Sequence, residues 1–222
     1  MIIEKLKSSV WKKKLVNDIH LAIQRVQSQK KWCSIFLTAG GNAEDLYNYW
    51  RYTDLFKNIS DVNFYLTDER LVAIDSLDSN HNMIMRSLFE SGLPNNCNFI
   101  GCKTNLIDGR RAADFYNRIV PEIIDILIIS VADDGHIASL FQGDIRSFES
   151  VDKIIDVSSN HSRFKRITIT PQYLNGANYI FTMSKGSSLK LLIEKIHNSR
   201  NSAIELPCKL LKNHIWYVND SK

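Results

Sequence analysis

Asp125-Ile-Leu-Ile-Ile-Ser-Val131 is the most strongly strand-like run in the chain: nearly all apolar, rich in β-branched residues and bounded by polar ones. A strand apolar on both faces needs cover on both, which a parallel sheet flanked by helices supplies. Working outward, Cys33-Ser-Ile-Phe-Leu37 and Val62-Asn-Phe-Tyr-Leu66 read as further buried strands and Cys97 to Ile100 as a short one, with more strands near 165–170, 178–183 and 214–218. Helical spacing occupies residues 8–30, 43–57, 79–91, 110–120 and 187–198. In the first of these, Trp11, Leu15, Ile19, Ala22, Ile23 and Val26 recur on one face, and Lys5, Lys7, Lys12, Lys13 and Lys14 fall largely on the other. Thr38 to Asn42 reads as a turn and Asp68 to Asp78 as a polar loop. This alternation predicts an α/β fold, a mostly parallel, Rossmann-like central sheet with helices on both faces, in a single domain spanning 1–222.

Composition agrees. With 222 residues, 44% hydrophobic and 23% charged, the chain has the balance of a soluble globular protein and excludes disordered and fibrous classes. No run reaches the roughly 18 apolar residues of a membrane span. The N-terminus has no secretory pattern, because Lys12, Lys13 and Lys14 follow Trp11. Cys33, Cys97, Cys102 and Cys208 are too scattered for a disulfide framework, so reduced thiols and a cytoplasmic location are expected. A net charge of +4, with aromatics not interleaved with a basic stripe, gives no reason to expect a nucleic-acid partner, and no membrane partner is expected either.

In such folds ligands bind beyond the carboxyl ends of the strands. Three post-strand segments therefore stand out. In Thr38-Ala39-Gly40-Gly41-Asn42, glycines before a helix let backbone amides approach an anion, with Asn42 a fitting N-cap; ordinary helix capping explains the same residues. In Asp68-Glu69-Arg70, Arg70 can clamp a phosphate while Asp68 positions substrate or handles a proton; the alternative is a surface ion-pair cluster. In Asp133-Asp134-Gly135-His136, a histidine on a glycine-permitted turn can act as acid or base at neutral pH, with Asp134 or Asp133 orienting its ring. The other histidines, His20, His81, His161, His197 and His214, have no such context. No nucleophile elbow and no H-E-x-x-H pattern occur, and Cys97 and Cys102 lack zinc-site spacing, so no metal is expected.

Taken in order, these segments resemble the 6-phosphogluconolactonase family, part of the larger group that includes glucosamine-6-phosphate isomerase/deaminase. Leu37-Thr-Ala-Gly-Gly-Asn-Ala-Glu-Asp-Leu-Tyr47 is similar to the family's L-S-G-G-S-T-P-x-x-L-Y, and Asp68-Glu69-Arg70 with Asp78-Ser79-Asn80 to its D-E-R and D-S-N. Asp134-Gly-His-Ile-Ala-Ser-Leu-Phe-Gln-Gly143 is similar to D-G-H-T-A-S-L-F-P-G, Arg166-Ile-Thr-Ile-Thr170 to R-I-T-L-T, and Leu206-Pro207 with Trp216 to the closing segments. The resemblance implies hydrolysis of 6-phosphoglucono-δ-lactone to 6-phosphogluconate in the oxidative pentose phosphate pathway, with no metal, cofactor or covalent intermediate. It implies His136 as base, with Asp134 and Asp68 beside it. Thr38, Gly40, Gly41, Asn42, Arg70, Arg166 and Lys185 are then the substrate and phosphate ligands. A monomer or weak dimer is expected.

The chain also departs from the family pattern. Thr38 to Ala43 loses a hydroxyl and the proline, Glu44 and Asp45 bring negative charge to the helix start, and the G-x-G before D-G-H is Ser130-Val131-Ala132. The lysine expected after Gly186 is displaced, leaving Leu189 at its position, Lys190 next to it and Lys185 as substitute. Two alternatives stay open: a non-catalytic sugar-phosphate binder, and the isomerase/deaminase branch. The second carries D-E-Y and an F-N-E-P glutamate where this chain has Arg70 and no acid between His136 and Asp144.

Overall fold

The computed structural model describes residues 2–102, 104, 108–158, 163–198 and 202–219. Seven strands form one parallel sheet, in the spatial order β1 (Ile2–Leu6), β10 (Ile215–Asn219), β9 (Tyr179–Lys185), β6 (Ile126–Ser130), β2 (Cys33–Leu37), β3 (Val62–Leu66) and β5 (Asn98–Ile100). Helices surround it, among them α1 (Ser8–Gln27), α2 (Gly41–Trp50) and α8 (Gly186–Asn198), each packed on the sheet. The chain runs outward from β2 through β3 to β5, then returns to lay β6 on the other side of β2 and continues outward to β9 and β10. The carboxyl ends of β2 and β6 are therefore the topological switch point, where diverging loops leave a crevice.

The register of these two strands is fixed at their opposite ends. The enclosed carboxylate of Asp125 accepts from the Ser34 amide and hydroxyl, both at 2.8 Å, and pairs with Lys30 at 2.8 Å. Ser34 Oγ in turn accepts from the Asp125 amide at 3.0 Å.

A second, antiparallel sheet stands beside the first, in the order β4 (Asp68–Arg70), β8 (Arg166–Ile169) and β7 (Ile154–Val157). Its outer edge is covered by Asn117 of α5 (Gly109–Ile119), whose amide donates to Ile154 O and accepts from Ile154 N, both at 2.7 Å. A side chain thus substitutes for a missing strand.

Several local expectations change. Asp68–Arg70 is a strand rather than loop, and the strand near 165–170 joins this second sheet rather than the main one. β1 and β7 were not anticipated. The helix expected over 43–57 is two, α2 and α3 (Asp54–Lys57), because Thr53 Oγ1 donates to Trp50 O at 2.7 Å and accepts from Phe56 N at 3.2 Å, ending one helix and capping the next. The helix expected over 79–91 is α4 (Asn80–Ser87). Lys5 lies on β1 and Lys7 caps α1, so only Lys12, Lys13 and Lys14 belong to that helix. All four cysteines are buried free thiols; burial pushes Cys33, Cys102 and Cys208 up to about 12, which leaves them unreactive at neutral pH. No helix among the described residues is long and apolar enough to cross a membrane.

The apolar face of α1 is buried as its spacing requires, with Trp11, Leu15, Ile19, Ala22, Ile23 and Val26 all in the core. His20, on the same helix, is buried and accepts the Trp50 indole N–H at 3.1 Å. Burial lowers its imidazole from 6.5 to about 4. The unfolded chain therefore takes up a proton near pH 6.5 that the folded chain refuses until about pH 4, so this contribution to stability is present above pH 6.5 and is lost as pH falls toward 4. The loss is expected to reach about 3 kcal/mol. Urea unfolding of wild type and His20→Gln between pH 7 and 4.5 checks it; parallel loss in both proteins would assign the pH dependence elsewhere.

Candidate active site

The loops leaving the switch point enclose a cavity of about 340 Å³. Thr38, Gly40, Gly41, Asn42, Asp68, Arg70, Arg166 and His136 all line it, joined by Asn80, Ser130, Ala132, Asp133 and Ala138. The post-strand residues singled out in the sequence thus converge on one hollow.

Thr38 follows β2, and its carbonyl is held by the buried Tyr47 hydroxyl at 2.9 Å. Gly40, at φ +112°, is the N-cap of α2, and Asn42 lies within the first turn rather than capping it. Gly40 has no side chain to satisfy the leading amides, so the helix N-terminus with its partial positive charge is presented at the cavity wall. The acids of this helix are turned elsewhere: Asp45 pairs with Lys12 at 2.7 Å, Glu44 is exposed, and neither lines the cavity.

β4 supplies the next wall, and alternation along it sends Asp68 and Arg70 to one side and Glu69 to the other. Glu69 is wholly buried. Its carboxylate accepts from the amides of Arg70, Asn80 and His81, each at 2.7 Å, and from the Ser79 hydroxyl at 3.1 Å. Burial raises its titration, and those amides oppose the shift. The carboxylate thereby binds the first turn of α4 and places Asn80, whose Nδ2 donates to Asp68 O at 2.9 Å. Arg70 Nη1 donates to Asp78 O at 2.7 Å.

Antiparallel pairing with β8 sets Arg166 directly opposite Arg70. Directly opposed residues have Cβ atoms about 5 Å apart, and like charges so placed repel. Burial lowers the Arg166 guanidinium below its usual value; Asp68 opposes that shift and Arg70 adds to it. Asp68 compensates only in part, with Oδ2 3.7 Å from Arg166 Nη1. It accepts from Thr67 Oγ1 at 2.9 Å and from Ser139 Oγ at 2.6 Å. Two opposed guanidiniums lining one cavity are an arrangement that an anion stabilises.

His136 faces them from the loop after β6. Its Nδ1 lies 2.7 Å from Asp134 Oδ1, which also accepts the His136 amide at 3.1 Å. Partial burial pushes Asp134 upward, but the amide and ring of His136 outweigh it and hold the carboxyl below its ordinary range. With Nδ1–H given to Asp134, Nε2 is left as the proton acceptor. The ring packs on Phe141, 5.1 Å between centroids, and the Arg166 guanidinium stands 5.6 Å from that same phenyl ring. The turn is pinned from below, where Gly135 O accepts from the Cys208 amide at 2.9 Å and Leu206 packs against Gly135.

Lys185 closes β9, but its side chain lies outside the described residues, as does that of Leu189; Lys190 is exposed. Asp134 acts on the cavity through His136 and does not line it. Glu69, Asn80, Ser139 and Phe141 received no role from sequence, although each lies inside a motif run. Among the described residues, no three His, Cys, Asp or Glu side chains are grouped to hold a metal ion.

Fold and site define an α/β protein with two opposed arginines and a carboxylate-paired histidine lining one cavity at the switch point of its sheet. The chain belongs to the family described as glucosamine-6-phosphate isomerases/6-phosphogluconolactonase, whose model matches residues 7–217. It is 32% identical over 161 residues to a 6-phosphogluconolactonase of Borreliella burgdorferi, covering 68% of each chain. It is 28% identical over 172 residues to 6-phosphogluconolactonase 3 of Saccharomyces cerevisiae, covering 70% of this chain and 68% of that one. In fold it is similar to crystal structures of 6-phosphogluconolactonases from Thermotoga maritima (TM-score 0.82, 23% identity, 99% of both chains) and Shewanella baltica (TM-score 0.85, 18% identity, 99% of this chain and 97% of that one).

Gly135 has φ +94°, and a Cβ there would lie 2.5 Å from Leu206 Cδ1. Gly135→Ala is therefore expected to destabilise the fold by about 2–4 kcal/mol. Gly41→Ala meets open space at an ordinary φ and is expected to be neutral or stabilising by up to about 1 kcal/mol. Urea denaturation of the two variants measures the contrast.

Proposed function

We propose that this chain hydrolyses 6-phosphoglucono-δ-lactone to 6-phosphogluconate, the lactone-opening step of the oxidative pentose phosphate pathway, with residues 1–222 as one catalytic domain. The observation that carries the assignment is the cross-strand pair Arg70 and Arg166 facing the Asp134-oriented His136 across a single cavity. The names of the relatives point to the same reaction.

In this mechanism Arg70, Arg166 and the α2 amides at Gly41 and Asn42 hold the phosphate, which converts affinity into orientation of the distant lactone carbonyl. Thr38, Gly40 and Lys185 complete the binding set. Asp68, with both oxygens already accepting hydroxyl hydrogens, serves as a carboxylate that receives a substrate hydroxyl rather than as a proton carrier. His136 Nε2 takes a proton from water as the water oxygen bonds to C1. The tetrahedral intermediate then collapses with cleavage of the bond between C1 and the ring oxygen, and the imidazolium returns the proton to that oxygen. Asp134 stabilises the transient imidazolium through Nδ1–H. Arg70 and Arg166 supply the positive charge that a phosphate dianion requires.

The isomerase reading lacks its carboxylate, since Ile137 to Gly143 contains no acid. The non-catalytic reading would be favoured by Glu44 or Asp45 filling the cavity, and neither lines it.

Loss of 6-phosphoglucono-δ-lactone is measured for wild type, His136→Ala and an enzyme-free blank, because the ester also opens spontaneously. His136→Ala is expected to lower the enzymatic rate by about 10²- to 10⁴-fold. Folded wild type no faster than the blank would overturn the assignment.

A further inference from the structure

Ser139 is fully buried, and its hydroxyl contacts both a carboxylate and a guanidinium. Its hydroxyl donates to Asp68 Oδ2 at 2.6 Å and accepts from Arg166 Nη1 at 3.3 Å, while Asp68 and Arg166 themselves stay 3.7 Å apart. A charge-assisted pair in direct contact closes to about 2.8 Å. The seryl oxygen therefore bridges the two charged groups from beside them, giving the carboxylate a donor and the guanidinium an acceptor in place of each other. Its own position is fixed independently, because the Ser139 amide donates to Thr168 Oγ1 on β8 at 3.1 Å and the preceding Ala138 holds a left-handed φ of +49°. A left-handed alanine is strained backbone, and here it delivers the following hydroxyl within reach of two charged side chains.

We propose that Ser139 is a positioning residue for substrate binding: its hydroxyl keeps Arg166 from collapsing onto Asp68, so that the guanidinium stays directed at the substrate's phosphate. The inference rests on the assignment of Arg166 as a phosphate ligand. Without the hydroxyl, Asp68 and Arg166 neutralise each other directly, and the anion loses one of its two opposed guanidiniums. Because the carboxylate is what captures Arg166, removing its charge in the same background releases the arginine again.

Binding of inorganic phosphate, followed by calorimetry, separates this role from a general loosening of the fold. Ser139→Ala is expected to weaken phosphate binding about tenfold. The double variant Ser139→Ala/Asp68→Asn is expected to recover most of that loss, and a crystal structure of Ser139→Ala to show Asp68 and Arg166 in direct contact. If the alanine variant does not melt cooperatively, Ser139→Cys carries the test, a thiol being a weak donor, with an expected weakening of at least about threefold. Phosphate binding equal to wild type in these variants, or no recovery in the double variant, overturns the role of Ser139 while leaving lactone hydrolysis intact. Wild type that neither binds phosphate nor hydrolyses the lactone overturns both this role and the proposed function.

Discussion

The enclosed carboxylate of Glu69 holds the active side of this molecule together. Burying it without partners would cost several kcal/mol, and its hydrogen bonds from three backbone amides and one hydroxyl offset that cost. Those donors belong to two elements. Their shared acceptor locks the short strand β4 to the first turn of α4 and consumes amides that would otherwise stand orphaned at a helix start. With Glu69 turned inward, the pleat sends Asp68 and Arg70 into the cavity. The middle residue of the tripeptide is thus the structural one, and its neighbours become available to chemistry because it is buried.

From that anchor the electrostatics of the pocket follow. Antiparallel pairing with β8 puts Arg166 opposite Arg70, a placement in which like charges repel and a negative charge on the same side is favoured. Asp68 and Ser139 moderate the repulsion. Phe141 lies against both the His136 ring and the Arg166 guanidinium, so the histidine and one of the opposed arginines share a wall. The opposed arginines and the histidine therefore come from two different sheets and meet at the switch point of the larger one.

Much of this was legible locally. The buried runs 33–37, 62–66 and 126–130 form strands where their apolar character indicated, because a strand covered on both faces must be apolar throughout. The His136–Asp134 pair was legible too, since both residues lie on one turn. β4 was not: three charged residues read as surface loop, and only pairing with β8 and the burial of Glu69 make them a strand. β7 was missed for a related reason, its edge being satisfied by an asparagine on a helix distant in sequence. Asn42 was a reasonable cap by composition, yet the helix begins at Gly41, with Gly40 adopting a backbone conformation that a side chain would strain.

The class of fold, the positions of the central strands and the loops that line the cavity are written in the local sequence. These depend on burial pattern and on chemistry confined to a few consecutive residues. Only the tertiary fold sets Arg70 opposite Arg166, lets Ser139 bridge Asp68 and Arg166, and buries Glu69 while its neighbours face the cavity. Each of those relations joins segments far apart in the chain through strand pairing and enclosure, and a short-range pattern carries no record of which distant residue will be the partner.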